Sequence, residues 1–242
     1  MSDTLVLCYH ALSEHWPADL SVTPDAFRAQ LEYLARRDYH GVTFSDAVGE
    51  PAGGCRVAVT FDDAFRSVSE LAAPILERLG WPATVFAVSD FAGSGAPLRW
   101  AGIDHWADTP HRHELAGMSW PELRALVDAG WEVGSHTRTH PRLTTLSDAA
   151  LAAELRDSRA ACEDGIGIRC ESLAYPYGDV NARVVAAAGD AGYAVAAALP
   201  ARWHRAEPLH WPRVGVYHPD DLRRFRLKTS RATRRVRSAL RR

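Results

Sequence analysis

The sequence has no apolar run long enough to cross a bilayer or to form the core of an export signal. A spanning helix needs about 20 apolar residues, and a signal needs a stretch of about 7–15 behind a positive start. The chain instead opens Met1-Ser2-Asp3-Thr4, and its first apolar run covers only residues 5–8. The expectation is a cytoplasmic protein. Also missing are a G-x-G-x-x-G fingerprint and a Walker loop, which argues against an open nucleotide-binding sheet. The four cysteines, Cys8, Cys55, Cys162 and Cys170, are scattered without C-x-x-C spacing, as expected of reduced, mostly structural thiols. No repeat of fixed period runs through the chain.

What is present fits one sizeable core: 242 residues, 47% of them hydrophobic and 24% charged. The net charge of −2 divides into +10 over residues 222–242, which carry no acid, and −12 over residues 1–221. The expected organisation is a single barrel domain over 1–221 followed by a basic C-terminal helix or tail over 222–242. If helical from about Asp221, the tail sets Leu222, Phe225, Ala232, Val236 and Leu240 among arginines, a pattern suited to peripheral docking on an anionic membrane at the inner face. A solvated basic end, or adhesion to the acidic body, is the other reading. Nothing resembles a nucleic-acid recognition module, so no specific nucleic-acid partner is expected.

Short apolar runs alternate with amphipathic stretches. Strands are predicted at 5–9, 42–44, 57–61, 84–88, 132–135, 172–175, 194–197 and 214–216, with helices at 24–38, 65–79, 120–129, 147–163 and 180–191. Thr23-Pro24, Ser119 and Ser147 are start signals; Gly80, Gly130 and Gly192 are stops. Alternating βα units imply a parallel sheet covered by helices, and this many of them favour a closed, TIM-like barrel. Residues 91–118 break the rhythm and predict a long loop over one barrel end.

Three segments place polar residues directly after a predicted strand, where a barrel's active-site face lies. In Thr60-Phe61-Asp62-Asp63-Ala64, adjacent carboxylates oppose each other's ionisation unless a cation is near; capping a helix that begins near Phe65 is the alternative use. In His136-Thr137-Arg138-Thr139-His140, two imidazoles four positions apart can share a helical face and reach one metal, although surface histidines produce the same pattern. Asp63, His136 and His140 together would give three protein ligands, the number that leaves a catalytic zinc an open position. In Tyr175-Pro176-Tyr177-Gly178, a rigid proline and a permissive glycine flank Tyr177, so that its backbone N–H can face a ligand; a plain loop turn is equally compatible.

In this order the three segments resemble the polysaccharide deacetylases of the NodB homology family, carbohydrate esterase family four, over roughly residues 4–217. They match its T-F-D-D-G, H-[ST]-x-x-H and P-Y-G motifs, apart from Ala64 in place of glycine. The resemblance implies a distorted (β/α) barrel and metal-dependent removal of N-acetyl groups from sugars. It implies one divalent ion, zinc being the expected one, on Asp63, His136 and His140. Asp62 would be the general base and the Tyr177 N–H part of the oxyanion hole.

Ala174 stands where many members carry an arginine that orients the base, and Arg213 is the candidate replacement, with a surface arginine or an ordinary salt bridge as the alternative. For the general acid, Leu7-Cys8-Tyr9-His10 resembles the Y-H opening of the poly-N-acetylglucosamine deacetylase branch. His10 is therefore expected in that role, ahead of His210 in Leu209-His210-Trp211. His105, His111 and His113 lie in the long loop as substrate contacts or solvated side chains, and Trp81, Trp100, Trp106, Trp120, Trp131, Trp203 and Trp211 include candidates for sugar stacking, although buried tryptophans are expected in any core of this size. The expected substrate is an N-acetylated sugar in a glycan, glycolipid or glycosylated metabolite. A metal-dependent amidase acting on a non-sugar C–N bond and a noncatalytic glycan-binding barrel are the competing readings.

Overall fold

The computed structural model describes residues 3–49, 53–199 and 206–234. In chain order the elements are β1 (Asp3–Tyr9), β2 (Ala11–Leu12), β3 (Ser21–Val22), α1 (Pro24–Ala35), β4 (Tyr39–Val42), α2 (Phe44–Val48), β5 (Cys55–Phe61), α3 (Ala73–Leu79), β6 (Thr84–Ala87), α4 (Ser89–Ala92), α5 (Trp120–Asp128), β7 (Glu132–Ser135), α6 (Asp148–Ile166), β8 (Ser172–Ala174), α7 (Ala182–Asp190), β9 (Val195–Ala198), β10 (Trp211–Pro212), β11 (Val214–Gly215) and α8 (Leu222–Thr229).

All pairing in the main sheet is parallel, in the order β10-β9-β8-β7-β6-β5-β1-β11. Closure comes from one short extended segment. Its first half pairs with β9 (Trp211 opposite Ala197) and its second with β1 (Val214 opposite Leu7), and Arg213 lies at the switch. The far edge of β5 is also shared, by β4 along residues 55–58 and by β6 along residues 60–61. The result is the distorted, nearly closed (β/α) barrel that the alternating pattern implied.

Strand alternation then sorts the side chains. Leu5, Leu7 and Tyr9 with Val57, Val59 and Phe61 pack outward beneath the helices. Val6 and Ala58 face inward with Phe86, Ala174 and Ala197, and Phe44 packs among them, edge-on to Phe86. Small residues on most inward positions leave room for a charged pair nearer the mouth. By the same period of two, Cys8 and His10, and Thr60 and Asp62, share the inward face of their strands.

The start signals act as expected. Thr23 caps α1, Ser119 and Glu122 form a capping box on α5, and Ser147 caps α6. Two of the differences from the sequence reading have a clear local cause. The strand expected at 42–44 is β4, ending at Val42, because Thr43 caps α2 and Phe44 turns into the barrel, donating its N–H to Thr84 Oγ1 at 2.8 Å. The helix expected from 65 begins instead with a π-type turn at Val68–Ala72, where Pro74 has no N–H for the regular ladder.

The described part of the basic tail packs onto the barrel. Asp221 caps α8, Phe225 is fully buried and meets Tyr33 edge-on, and Arg231 and Arg234 both pair with Asp3 at the start of β1. One member of the apolar stripe expected for membrane docking, Phe225, faces the core instead, where it anchors α8 against α1. Val236 and Leu240 lie outside the described residues. Among the described residues no helix is long and apolar enough to cross a membrane.

Candidate active site

The register brings four distant segments together at the C-terminal ends of the strands. β1 lies between β5 and β11, with Tyr9 opposite Phe61 and Cys8 opposite Gly215, so His10, Asp62 and Arg213 meet at one mouth. Ser135 pairs with Leu173, which sets His136 beside Ala174. The Ala174 carbonyl accepts from His136 Nδ1 at 2.8 Å. That bond fixes the imidazole and leaves Nε2 free to face Asp63.

Asp63 Oδ1 lies 3.3 Å from Nε2 of both His136 and His140. Neither contact has hydrogen-bond geometry, and Oδ1 is buried without a donor. Three buried donor atoms that converge without satisfying one another are what a cation site presents, and one carboxylate oxygen with two imidazole nitrogens suits zinc or a similar divalent ion.

Beside this group, Arg213 grips Asp62 with both arms, Nη1 to Oδ1 at 2.6 Å and Nη2 to Oδ2 at 2.8 Å. Nη1 also donates to Thr60 Oγ1 at 2.9 Å, and the guanidinium lies over the Phe86 ring. Arg213 is thus buried against Asp62 and not on the surface. Burial pushes the Asp62 carboxyl up, but the Arg213 charge outweighs it and holds the pKa at about 2. Burial also pushes Asp63 up, and the two imidazoles more than reverse that, leaving it well below the usual carboxylate range. For His136 burial is outweighed by Asp62 and Asp63, and its pKa rises; for His140 and His10 burial prevails and lowers it.

The backbone here is unusual. Six described non-glycine residues have positive φ, and five of them are Asp63, Ala64, Thr137, His140 and Tyr177, each of order 1–3 kcal/mol uphill. Ala64, at φ 56°, shows why a glycine suits this turn. Tyr177, at φ 58°, makes none of the backbone bonds of its own turn, which run from Gly178 N to Tyr175 O and from Asp179 N to Pro176 O. Its ring meets His140 edge-on at 4.6 Å, while Trp100 stacks on His140 at 4.3 Å.

A cleft of about 440 Å³ contains Asp62, Asp63, His136, His140, His10 and Tyr177. The long loop contributes residues 100–103 to it, as its position over the barrel end suggested. His210 does not line the cleft. His105 and His111 pack against Trp106 instead, and His113 lies beside Glu114. Cys8, Asp19, Arg142 and Tyr217 escaped the sequence reading. Cys8 Sγ donates to Asp62 Oδ2 at 3.4 Å, and Tyr217 stacks beside His10; only strand register reveals either.

The same architecture occurs in the Streptococcus pyogenes deacetylase PplD in complex with acetate, with a TM-score of 0.76 at 20% identity over 93% of this chain and 97% of that one. IcaB from Ammonifex degensii is equally similar, with a TM-score of 0.76 at 23% identity over 94% and 97%. At these identities the likeness establishes the fold. In sequence, residues 49–196 match the family model described as polysaccharide deacetylase. The chain belongs to the polysaccharide deacetylase family, the NodB-type group its three motifs resemble. Among curated relatives, the poly-β-1,6-N-acetyl-D-glucosamine N-deacetylase of Staphylococcus aureus is 25% identical over 66% of this chain. YxkH of Bacillus subtilis is 25% identical over 78%. The chain spans 55% and 61% of the lengths of those two relatives.

Proposed function

We propose that this member of the family is a metal-dependent hydrolase that removes N-acetyl groups from an amino-sugar-containing glycan, glycolipid or glycosylated metabolite. The observation that carries the reading is the meeting, in one cleft, of the convergent Asp63, His136 and His140 atoms with an Asp62 carboxylate held by Arg213. The Staphylococcus aureus relative's name supports the acetamide of an amino sugar as the target, and Trp100, Tyr177 and Tyr217 supply aromatic surface in the cleft for a sugar ring.

A divalent ion on Asp63, His136 and His140, zinc being the best match to the donors, supplies Lewis-acid activation of the acyl carbonyl and of water. Asp62 takes the proton given up by water as its oxygen attacks the acyl carbon, and Arg213 keeps Asp62 ionised and fixes its rotamer. The Tyr177 N–H donates to the acyl oxygen as negative charge gathers there, a role whose loss elsewhere costs on the order of 10²–10³ in rate. His10 passes a proton to the nitrogen as the C–N bond breaks, since an amide nitrogen leaves poorly as an anion. The burial that lowers the His10 pKa makes its protonated form the stronger acid. Acetate and the free amine are the products.

Acetate release from N-acetylated oligosaccharides, with and without chelator, tests this beside a panel of cyclic imides and formamides. Chelator-sensitive release from the sugars is expected. Hydrolysis confined to the imides or formamides would make the chain a non-sugar amidase, and no hydrolysis by the metal-reconstituted protein would make it a binding barrel.

A further inference from the structure

The cleft holds one cation that the reaction does not use. Arg142, two residues beyond His140 on the loop after β7, is exposed and lines the cleft. Its guanidinium sits 4.5 Å from the centre of the Tyr177 ring, and that ring lies 4.6 Å from the His140 ring. It is one aromatic ring removed from His140. Among the described residues no carboxylate pairs with it, whereas Arg213, beneath the cleft lining, spends both terminal nitrogens on Asp62. The Tyr177 ring, itself tethered by its hydroxyl to the Ala101 carbonyl at 3.1 Å, backs one side of the guanidinium and leaves its N–H groups for another partner.

The cleft is also polar from side to side. Asp19, the cleft carboxylate outside the Asp62–Asp63 pair, comes from the β2–β3 connection, next to His218 and on the Tyr217 side. Arg142 comes from the His140 side. An anionic group is therefore attracted towards Arg142 and repelled from Asp19, which fixes which way round a charged sugar enters. An exposed guanidinium backed by an aromatic face presents a planar fork suited to phosphate or carboxylate oxygens.

We propose that Arg142 is a specificity-determining residue that selects amino sugars bearing an anionic group, phosphate or carboxylate, next to the N-acetylated ring. The proposal deepens the deacetylase reading and rests on it for the acetamide, but the preference for charge is measurable without turnover.

The experiment compares N-acetylglucosamine, N-acetylglucosamine 1-phosphate and a disaccharide of N-acetylglucosamine with glucuronic acid. Binding is measured by calorimetry to the Asp62→Asn protein, with and without Arg142→Gln or Arg142→Lys, and kcat/KM is measured in the Asp62 background. Anionic ligands should bind about tenfold or more tightly than the neutral sugar, as a charge-assisted bond to a guanidinium allows. Arg142→Gln should abolish that ratio and Arg142→Lys restore part of it, with the kinetic change in KM more than kcat. The two anionic ligands show whether phosphate or carboxylate is preferred. Equal binding of neutral and anionic sugars, or a preference unchanged in Arg142→Gln, overturns the proposal. Failure of acetate release with the binding preference intact instead overturns the deacetylase reading alone.

Discussion

Arg213 and Asp62 form a two-pronged ion pair, at 2.6 and 2.8 Å, between residues 151 positions apart. Arg213 is 2% exposed and Asp62 is 3%. It is held where the closing segment of the barrel changes partners from β9 to β1, so the closure of the fold and the placement of the proposed base depend on the same residue. Ala174 lies on β8, one strand beyond the β9 partner of this segment.

Removing one member of such a pair leaves the other charge buried and alone, which typically costs about 3–5 kcal/mol. Arg213→Met should destabilise the chain by that order in urea unfolding, and acetate release should fall with it. The double variant Arg213→Met with Asp62→Leu should recover most of the stability and none of the activity. A double variant as unstable as the single one would show that Arg213 matters through packing and not through Asp62.

The tail supplies a second contrast. Phe225 is fully buried, while Leu227, two residues on in α8, is 67% exposed. Phe225→Ala should cost about 3–5 kcal/mol, as deletion of a buried aromatic does, whereas Leu227→Ala should stay within about 0.5 kcal/mol of the parent. Thermal unfolding of the two variants checks this, and equal effects would mean that α8 is not part of the core.

Acid stability should report on the tail's other anchor. Burial pushes the Asp3 carboxyl up, and hydrogen bonds from Arg234 and Tyr39, with the Arg234 charge and Arg231, bring it below its ordinary value of 3.8. A carboxylate with a depressed folded pKa adds stability that is complete above the unfolded value and is lost as pH falls through the folded one. The Asp3 contribution is therefore full above about pH 4 to 5 and disappears below 3.8. Asp3→Asn should lower stability at neutral pH and flatten this part of the acid limb, seen as a smaller slope of unfolding free energy against pH. An unchanged slope would contradict the Asp3–Arg234 linkage.

Much of the barrel is visible in the sequence because parallel strands buried on both faces are short, nearly continuous apolar runs, and Thr23, Ser119 and Ser147 mark helix starts locally. Asp62-Asp63 and His136…His140 stand out for the same reason, since each follows its strand immediately. The boundary of β4 was not readable because Thr43 and Phe44 belong to a capped helix whose aromatic plugs the barrel, and that depends on Thr84, forty residues away. Cys8, Tyr217 and Arg142 were missed because each acts through a neighbour fixed by strand order or by loop path. Phe225 of the tail was not readable as a core residue because an amphipathic pattern serves docking onto the chain's own barrel and onto a membrane equally well.

The proposed metal site on Asp63, His136 and His140 is the central claim, and elemental analysis tests it most directly. The wild-type, Asp62→Asn and Asp63→Ala proteins would be equilibrated with zinc, desalted and assayed for bound metal. The account predicts about one ion per chain in the first two, as three protein ligands of this type hold, and essentially none in Asp63→Ala, with acetate release confined to the wild type. A wild-type chain that retains no ion after reconstitution, or an Asp63→Ala chain that retains as much as the wild type, would contradict it.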